Sequence, residues 1–286
     1  MRIKFAAAFI TAVLASAYVS ATDKHADNPQ QVPDQVIAQQ RDALAAQTKD
    51  KGYGPQSPRD LTVSKGANQI LFSPAPAYTQ MNLCNIHFHK NAEHRGGEFT
   101  KYAGNGDGSG YQSGYMYTGQ LSAADLQPVD QPVCPSQHGG LKPGDTIEVH
   151  YVHSTAAVGP GPTLGACLND SIGNPQLRVE TQVYVLANDS HALDFGKLSQ
   201  YGMKHGFHQA LHIPTNTGAP LQYAGSTTGP SYNEKGSPLQ VTWNVRPKVS
   251  IKSLGVWCTG NVFNEDHAHG VRNLVLNPKL LSPLAQ

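Results

Sequence analysis

Asn85-Ile86-His87-Phe88-His89-Lys90-Asn91-Ala92-Glu93-His94, answered downstream by Ile147-Glu148-Val149-His150-Tyr151-Val152-His153, decides how the rest of the chain is read. Both stretches carry the period-two alternation of a strand with one buried face. In the first, Asn85, His87 and His89 project to one side and Ile86 and Phe88 to the other. In the second, Glu148 and His150 lie opposite Ile147, Val149 and Tyr151. Neighbouring strands with this pattern bring three imidazoles to one surface.

An isolated His-x-His is ordinarily a pair of half-buried histidines, and the added Glu-x-His reverses that preference. Three neutral imidazoles with an open fourth position make the pattern of a catalytic zinc site rather than a closed structural one. The expectation is one Zn2+ per chain, held by His87, His89 and His150. A metal-bound imidazole gives its other ring N–H to an oxygen acceptor. Asn85 and Glu148, each two residues before a ligand on the same face, are the expected acceptors.

The 286 residues suffice for one large domain or two small ones, and one is expected. A formal charge of +1 gives no electrostatic case for nucleic acid or an anionic membrane surface. With 28 glycines, 20 prolines and only 14% charged residues, the composition fits a turn-rich β protein. Arg2 and Lys4, the apolar run Phe5 to Val19 and the small residues Val19-Ser20-Ala21 read as a secretory signal, cleaved after Ala21. Residues 1–21 are therefore assigned to the signal peptide, 22–50 to a disordered segment with a short helix, and 51–286 to the catalytic domain. No later run is long enough for a membrane span, so a secreted or periplasmic location is expected. Export makes Cys84, Cys134, Cys167 and Cys258 candidates for two disulfides, with three pairings open.

Thr22 to about Val32 is polar and expected to be disordered, and Pro33-Asp34 opens a helical pattern that ends before Gly52. Strands are expected at Ile70–Phe72, Leu83–His89, Thr146–His153, Leu177–Leu186, Leu239–Val245 and Val249–Val256. The glycine-rich stretch Tyr102 to Tyr117 reads as a long functional or shielding loop. His205, His208 and His212 have spacing that lets one face of a short helix carry all three, a solvated face being favoured over a metal site. Glu265-Asp266-His267-Ala268-His269 lacks β periodicity and reads as a polar turn. His94 and His153 read as buried, hydrogen-bonded structural histidines.

His87-Phe88-His89 with Glu93-His94, then Glu148-Val149-His150 with Val152-His153, resembles the zinc-ligand strands of α-class carbonic anhydrases. Gln56-Ser57-Pro58, Tyr223 to Pro230 and Val241-Thr242-Trp243 are similar to further motifs of that family, in the same order. The gap from His94 to His150 is longer than in the α class, and the stretch from Pro58 to Cys84 is shorter and holds no shuttle histidine. The wording Asn82 to His94 and the glycine-rich insertion most resemble the δ-class, or carbonic-anhydrase-like, proteins.

The resemblance implies a mainly β fold: a large, twisted, mostly antiparallel sheet with few short helices and the metal at the base of a cavity. It implies hydration of carbon dioxide to bicarbonate by metal-bound hydroxide. Thr228, with Thr227 as the alternative register, would orient the hydroxide and donate its own proton to Glu93. Val241 and Trp243 would line an apolar substrate pocket. Two other readings stay open. One is a cupin-type metal protein using His87, His89, Glu93 and His150, against which the glycine expected where Thr100 stands is missing. The other is an exported metal-binding protein without turnover.

Overall fold

The structure, a computed structural model, describes residues 75–271 except 108–109, 173–174, 217, 225–238 and 243–247, with Arg59–Asp60 and residues 31–36, 38–39 and 42. The strands are β1 (Arg59–Asp60), β2 (Asn82–Lys90), β3 (His94–Arg95), β4 (Phe99–Asn105), β5 (Ser113–Tyr117), β6 (Thr146–Ser154), β7 (Leu177–Ala187), β8 (Tyr201–Lys204), β9 (Phe207–Ala210), β10 (Leu221–Ala224), β11 (Leu239–Thr242), β12 (Lys248–Ser250) and β13 (His269–Gly270). One seven-stranded sheet dominates, in the order β10-β11-β7-β6-β2-β13, with β12 also pairing β7. Its centre, β2-β6-β7, is antiparallel, whereas β11, β12 and β13 each join in parallel. The fold is mainly β, as the sequence implies, and the large sheet is mixed, with long antiparallel ladders at its centre and short parallel additions.

Alternation sorts the residues of β2 and β6 as expected. Ile86, Phe88, Ile147, Val149 and Tyr151 are all 0% exposed and belong to one apolar core. Burying such a side chain contributes about 1.5–3 kcal/mol, so this face locks the register of the two strands. A bulge between Leu83 and Asn85 adjusts the parity at the start of β2. Leu83 thereby enters the core while Asn85 remains on the histidine face, with Cys84 as the extra residue.

Three elements differ from expectation. Only Lys248–Ser250 of the stretch around Val249–Val256 forms a strand, and Ile251–Cys258 is a helix. Ile251, Leu254, Trp257 and Cys258 are its buried residues, a helical spacing that the β-branched composition obscures. Trp257 and Phe195, the latter on the short helix Phe195–Leu198, meet Phe88 and cap the core. The segment holding His205 and His208 is a β8–β9 hairpin rather than a helix. His205 and Gly206 both take positive φ, 52° and 86°, as a two-residue hairpin turn requires. Finally, Tyr102 to Tyr117 is not one loop but lies largely in the antiparallel ribbon β4–β5, in which Gly104 faces Gly114.

The disulfides are Cys84–Cys167 and Cys134–Cys258, one of the three pairings open to the sequence. In the expected N-terminal helix, Asp34–Val36, Ala38, Gln39 and Asp42 are helical. The signal peptide, Gln56 to Pro58, Ile70–Phe72, Thr227, Thr228 and Trp243 lie outside the described residues. So does the Thr22 to Val32 segment apart from its last two residues. No helix among the described residues is long and apolar enough to cross a membrane.

Candidate metal centre

Register across the sheet assembles the site in rows. His87 on β2 pairs with His150 on β6, and His150 pairs in turn with Thr181 on β7. The next row joins His269 on β13, His89, Glu148 and Val183. Directly paired residues project to the same face, so two rows hold His87, His89 and His150, the three expected zinc ligands. Nitrogen atoms of His87, His89 and His150 lie within 4.8 Å of one another.

The outer nitrogens fix the tautomers. His87 Nδ1–H donates to Asn85 Oδ1 at 2.7 Å, and the Asn85 amide is oriented by donating its own N–H to Gly161 O at 3.2 Å. His89 Nδ1–H donates to the carbonyl of Gly270 at 2.9 Å, and a carbonyl can only accept. His150 Nε2–H donates to Glu148 Oε1 at 2.9 Å. Glu148 is fully buried, and its second oxygen accepts the backbone N–H of Glu93 at 2.7 Å.

Each ring proton is therefore committed outward, which leaves His87 Nε2, His89 Nε2 and His150 Nδ1 as lone-pair acceptors facing inward. His87 Nε2 and His150 Nδ1 approach to 3.2 Å. His89 Nε2 is buried with no hydrogen-bond partner. Converging acceptors with no proton between them repel one another, and a cation among them removes the repulsion. The donor set, three neutral nitrogens, suits zinc and other borderline transition metals rather than magnesium or calcium.

Electrostatics agrees with neutral rings at His87 and His89. Burial holds His87 well below the usual histidine range, and its imidazole neighbours add to the effect. Burial likewise lowers His89 to about 4, against the opposing charge of Glu93. His150 behaves differently: burial pulls it down, but the Glu148 hydrogen bond and the two carboxylates outweigh that and raise it. Burial raises Glu148, opposed by its hydrogen bond to His150.

Glu93 also approaches the cluster, forming a second potential ligand group with Glu148 and His150. It reaches His89 at Nδ1, 3.7 Å away, on the nitrogen that faces Gly270 rather than the inward one. A cupin-type set would need Glu93 on the inward side with all three histidines. Val241 pairs with Glu180, and Thr242 with Thr181, the β7 partner of His150.

Two contributors have no clear mark in the sequence. Gly270 supplies a backbone carbonyl, which leaves no signature in side-chain pattern. His269, in the stretch expected to be a polar turn, has its ring 5.8 Å from His87 and 5.9 Å from His89, and its Nε2–H donates to Glu265 Oε2 at 2.6 Å. The signal for it is the unusual density of metal-type side chains from Glu265 to His269, but no period places them in a strand. His205, His208 and His212 do not join the site. The His208 backbone N–H donates to Asn82 Oδ1, and the His212 ring contacts Gln200. His153 is fully buried, and its Nδ1–H donates to Tyr151 O, as a structural histidine does. The side chain of His94, on β3, lies outside the described residues.

Residues 78–254 match the family model described as delta carbonic anhydrase. No curated protein and no solved structure is similar enough to the chain to count as a match.

Proposed function

The chain belongs to the delta carbonic anhydrase family, and from that premise we propose that it is a zinc-dependent carbonic anhydrase interconverting carbon dioxide and bicarbonate. The observation that carries this reading is the proton inventory of the site. Three inward lone pairs, on His87, His89 and His150, are each enforced by an outward hydrogen bond to an oxygen. Zinc, when bound there, supplies Lewis acidity that generates a nucleophile from water near neutral pH, because three neutral ligands leave its double charge undiminished.

The protein's own groups do the rest. Asn85, Gly270 and Glu148 hold the three rings in the binding tautomer. Val152 and Val179, paired with each other and buried, lie on the histidine face one row from His87 and His150, beside the Cys84–Cys167 disulfide. That apolar flank suits a substrate that offers little to hydrogen-bond. By the family resemblance, Thr228 would accept a hydrogen bond from the nucleophile and donate its own O–H in a hydrogen bond to Glu93, an arrangement that would aim the nucleophile. Val241 is not part of that apolar flank: its register partner Glu180 pairs with Tyr151, which sets it in a row of the opposite face. The outward approach of Glu93 to His89 disfavours the cupin alternative. An exported protein that binds metal without turnover has the same ligands and is distinguished only by assay.

The test combines metal analysis with stopped-flow hydration on zinc-loaded protein across pH 6 to 9. One zinc per chain and a rate rising sigmoidally with pH, with an apparent pKa near 7, are expected. His150→Ala should lose the metal. Thr228→Ala should keep it while slowing the pH-independent rate about tenfold to a hundredfold, the value of one oriented hydrogen bond of roughly 1.5–3 kcal/mol. Full zinc occupancy with no hydration above that of free zinc would establish the binding-protein reading instead.

A further inference from the structure

The carbonyl that holds His89 comes from β13, a two-residue strand, and so short a strand needs support from elsewhere. The glycine-rich ribbon provides it. Gly270 lies backbone to backbone against the start of the Gly110–Gly114 segment. A Cβ on Gly270 would meet the carbonyl carbon of Gly110 at 2.6 Å and the nitrogen of Tyr111 at 2.7 Å. A Cβ on Gly110, whose φ is +102°, would meet the carbonyl oxygen of Val271 at 2.6 Å. No side chain fits on either residue at this separation.

The contact is latched from both sides. The buried hydroxyl of Ser113 is shared between the carbonyls of Gly110, at 2.9 Å, and Val271, at 3.0 Å. Gly114, at φ +88°, packs on Ala92 O and on a methyl of Val271, at 2.5 and 2.9 Å from where its Cβ would be. The turn that follows β2 closes the frame. Asn91 Nδ2–H donates to Ser113 O at 2.8 Å, and Ala92 and Tyr115 exchange both backbone hydrogen bonds, at 2.9 and 2.8 Å. The ribbon thus grips the end of the His89 strand and the residues around the Gly270 carbonyl together.

We propose that the Gly110–Gly270 backbone contact, latched by Ser113, is a positioning device that sets the Gly270 carbonyl on Nδ1 of His89 and so fixes the ring in its metal-binding tautomer. This inference rests on the metal-site reading for its consequence, but the tautomer can be observed without metal. It also gives the glycine-rich insertion a purpose, since close approach at Gly110, Gly114 and Gly270 requires residues without a Cβ. Gly110, Ser113 and Gly270 act through His89 and are positioning residues.

The experiment uses the full chain with Gly110→Ala, Ser113→Ala and, as control, Gly139→Ala. Gly139 has a similar φ of +94° with nothing within 4 Å of an added Cβ, so its variant carries the backbone strain without the steric wedge. Long-range 1H–15N spectra of the metal-free proteins report the His89 tautomer. Competition with a chromogenic chelator reports the zinc dissociation constant. In Gly110→Ala the Nδ1–H signature of His89 should be lost or averaged and zinc affinity should fall about tenfold to a hundredfold, as for other groups that orient a ligand. Ser113→Ala should shift both readouts in the same direction and less far, and Gly139→Ala should leave both at wild-type values. A Ser113→Ala protein with wild-type tautomer and affinity overturns the proposal, even where Gly110→Ala does not fold. So does equal loss in Gly139→Ala. If wild-type protein binds no zinc, the proposed function fails, while the metal-free spectra still decide whether the ribbon sets His89.

Discussion

Replacing Glu148 by glutamine separates orientation from packing, because the substitution keeps shape while removing the charge and turning one terminal acceptor into a donor. Both carboxylate oxygens accept: Oε1 from His150 Nε2–H at 2.9 Å, and Oε2 from the Glu93 backbone N–H at 2.7 Å. Glutamine has one acceptor where two donors wait. With the amide nitrogen toward Glu93, a buried backbone N–H loses its partner, at a cost of about 1–3 kcal/mol. With the nitrogen toward His150, the imidazole must carry its proton on Nδ1 instead, and one of the three inward lone pairs disappears. The first outcome lowers stability and the second blocks the metal. A melting temperature lower by about 2–4 °C per kcal/mol lost is expected, together with zinc affinity reduced about tenfold to a hundredfold. That reduction corresponds to about 1.4–2.7 kcal/mol. Chelator competition gives the affinity, and 15N-detected imidazole spectra give the position of the proton on His150. Wild-type affinity and melting temperature, with the Nε2–H tautomer retained, would refute the reasoning, since Glu148 would then be neither an orienting acceptor nor an energetic support.

Glu93→Gln should retain zinc and lose rate in stopped-flow hydration, because its carboxylate approaches His89 on the outward nitrogen. Loss of zinc in that variant would make Glu93 a ligand and revive the cupin reading. Peptide mapping without reduction should recover Cys84 linked to Cys167 and Cys134 linked to Cys258, and removing either cross-link should cost about 2–5 kcal/mol in urea unfolding. His153, lowered to about 3 chiefly by burial, stays neutral in the folded protein at pH values where an unfolded histidine is charged. Its contribution to stability is therefore complete above about pH 6.5 and is lost as pH falls toward 3, at up to about 1.4 kcal/mol per pH unit. Urea midpoints of metal-free His153→Phe between pH 7 and 4.5 should fall less steeply than those of wild type, and an identical slope would sink the assignment.

The legible part of this protein is the part written in strand period. Alternation alone places His87, His89 and His150, with Asn85 and Glu148, on one face, and Ile86, Phe88, Ile147, Val149 and Tyr151 on the other. Ile251, Leu254 and Trp257 have helical spacing, but the β-branched residues around them mimic a strand. His205 and His208 mislead because a positive-φ residue in a hairpin turn is expected to be glycine or asparagine, and here it is histidine. The ribbon β4–β5 is hidden by its glycines, which weaken strand propensity and resemble a loop. Disulfide pairing is beyond reach because it depends on which strands are neighbours, information that four cysteines do not carry.

The three outward acceptors differ in how they are tied to the rings they hold. Asn85 and Glu148 sit on the same strands as His87 and His150, two residues away, so each moves with its ring and its alignment survives small shifts between strands. The Gly270 carbonyl lies 181 residues from His89 in the chain and is aligned only by packing of β13 against β2 and against the glycine ribbon. His89 is for that reason the ligand whose geometry depends most on tertiary structure. Loosening β13 would free its Nδ1–H from Gly270 while leaving the hydrogen bonds of His87 and His150 intact. The ring would then turn, and the inward lone pair would be lost from one corner of the site before the sheet itself gave way.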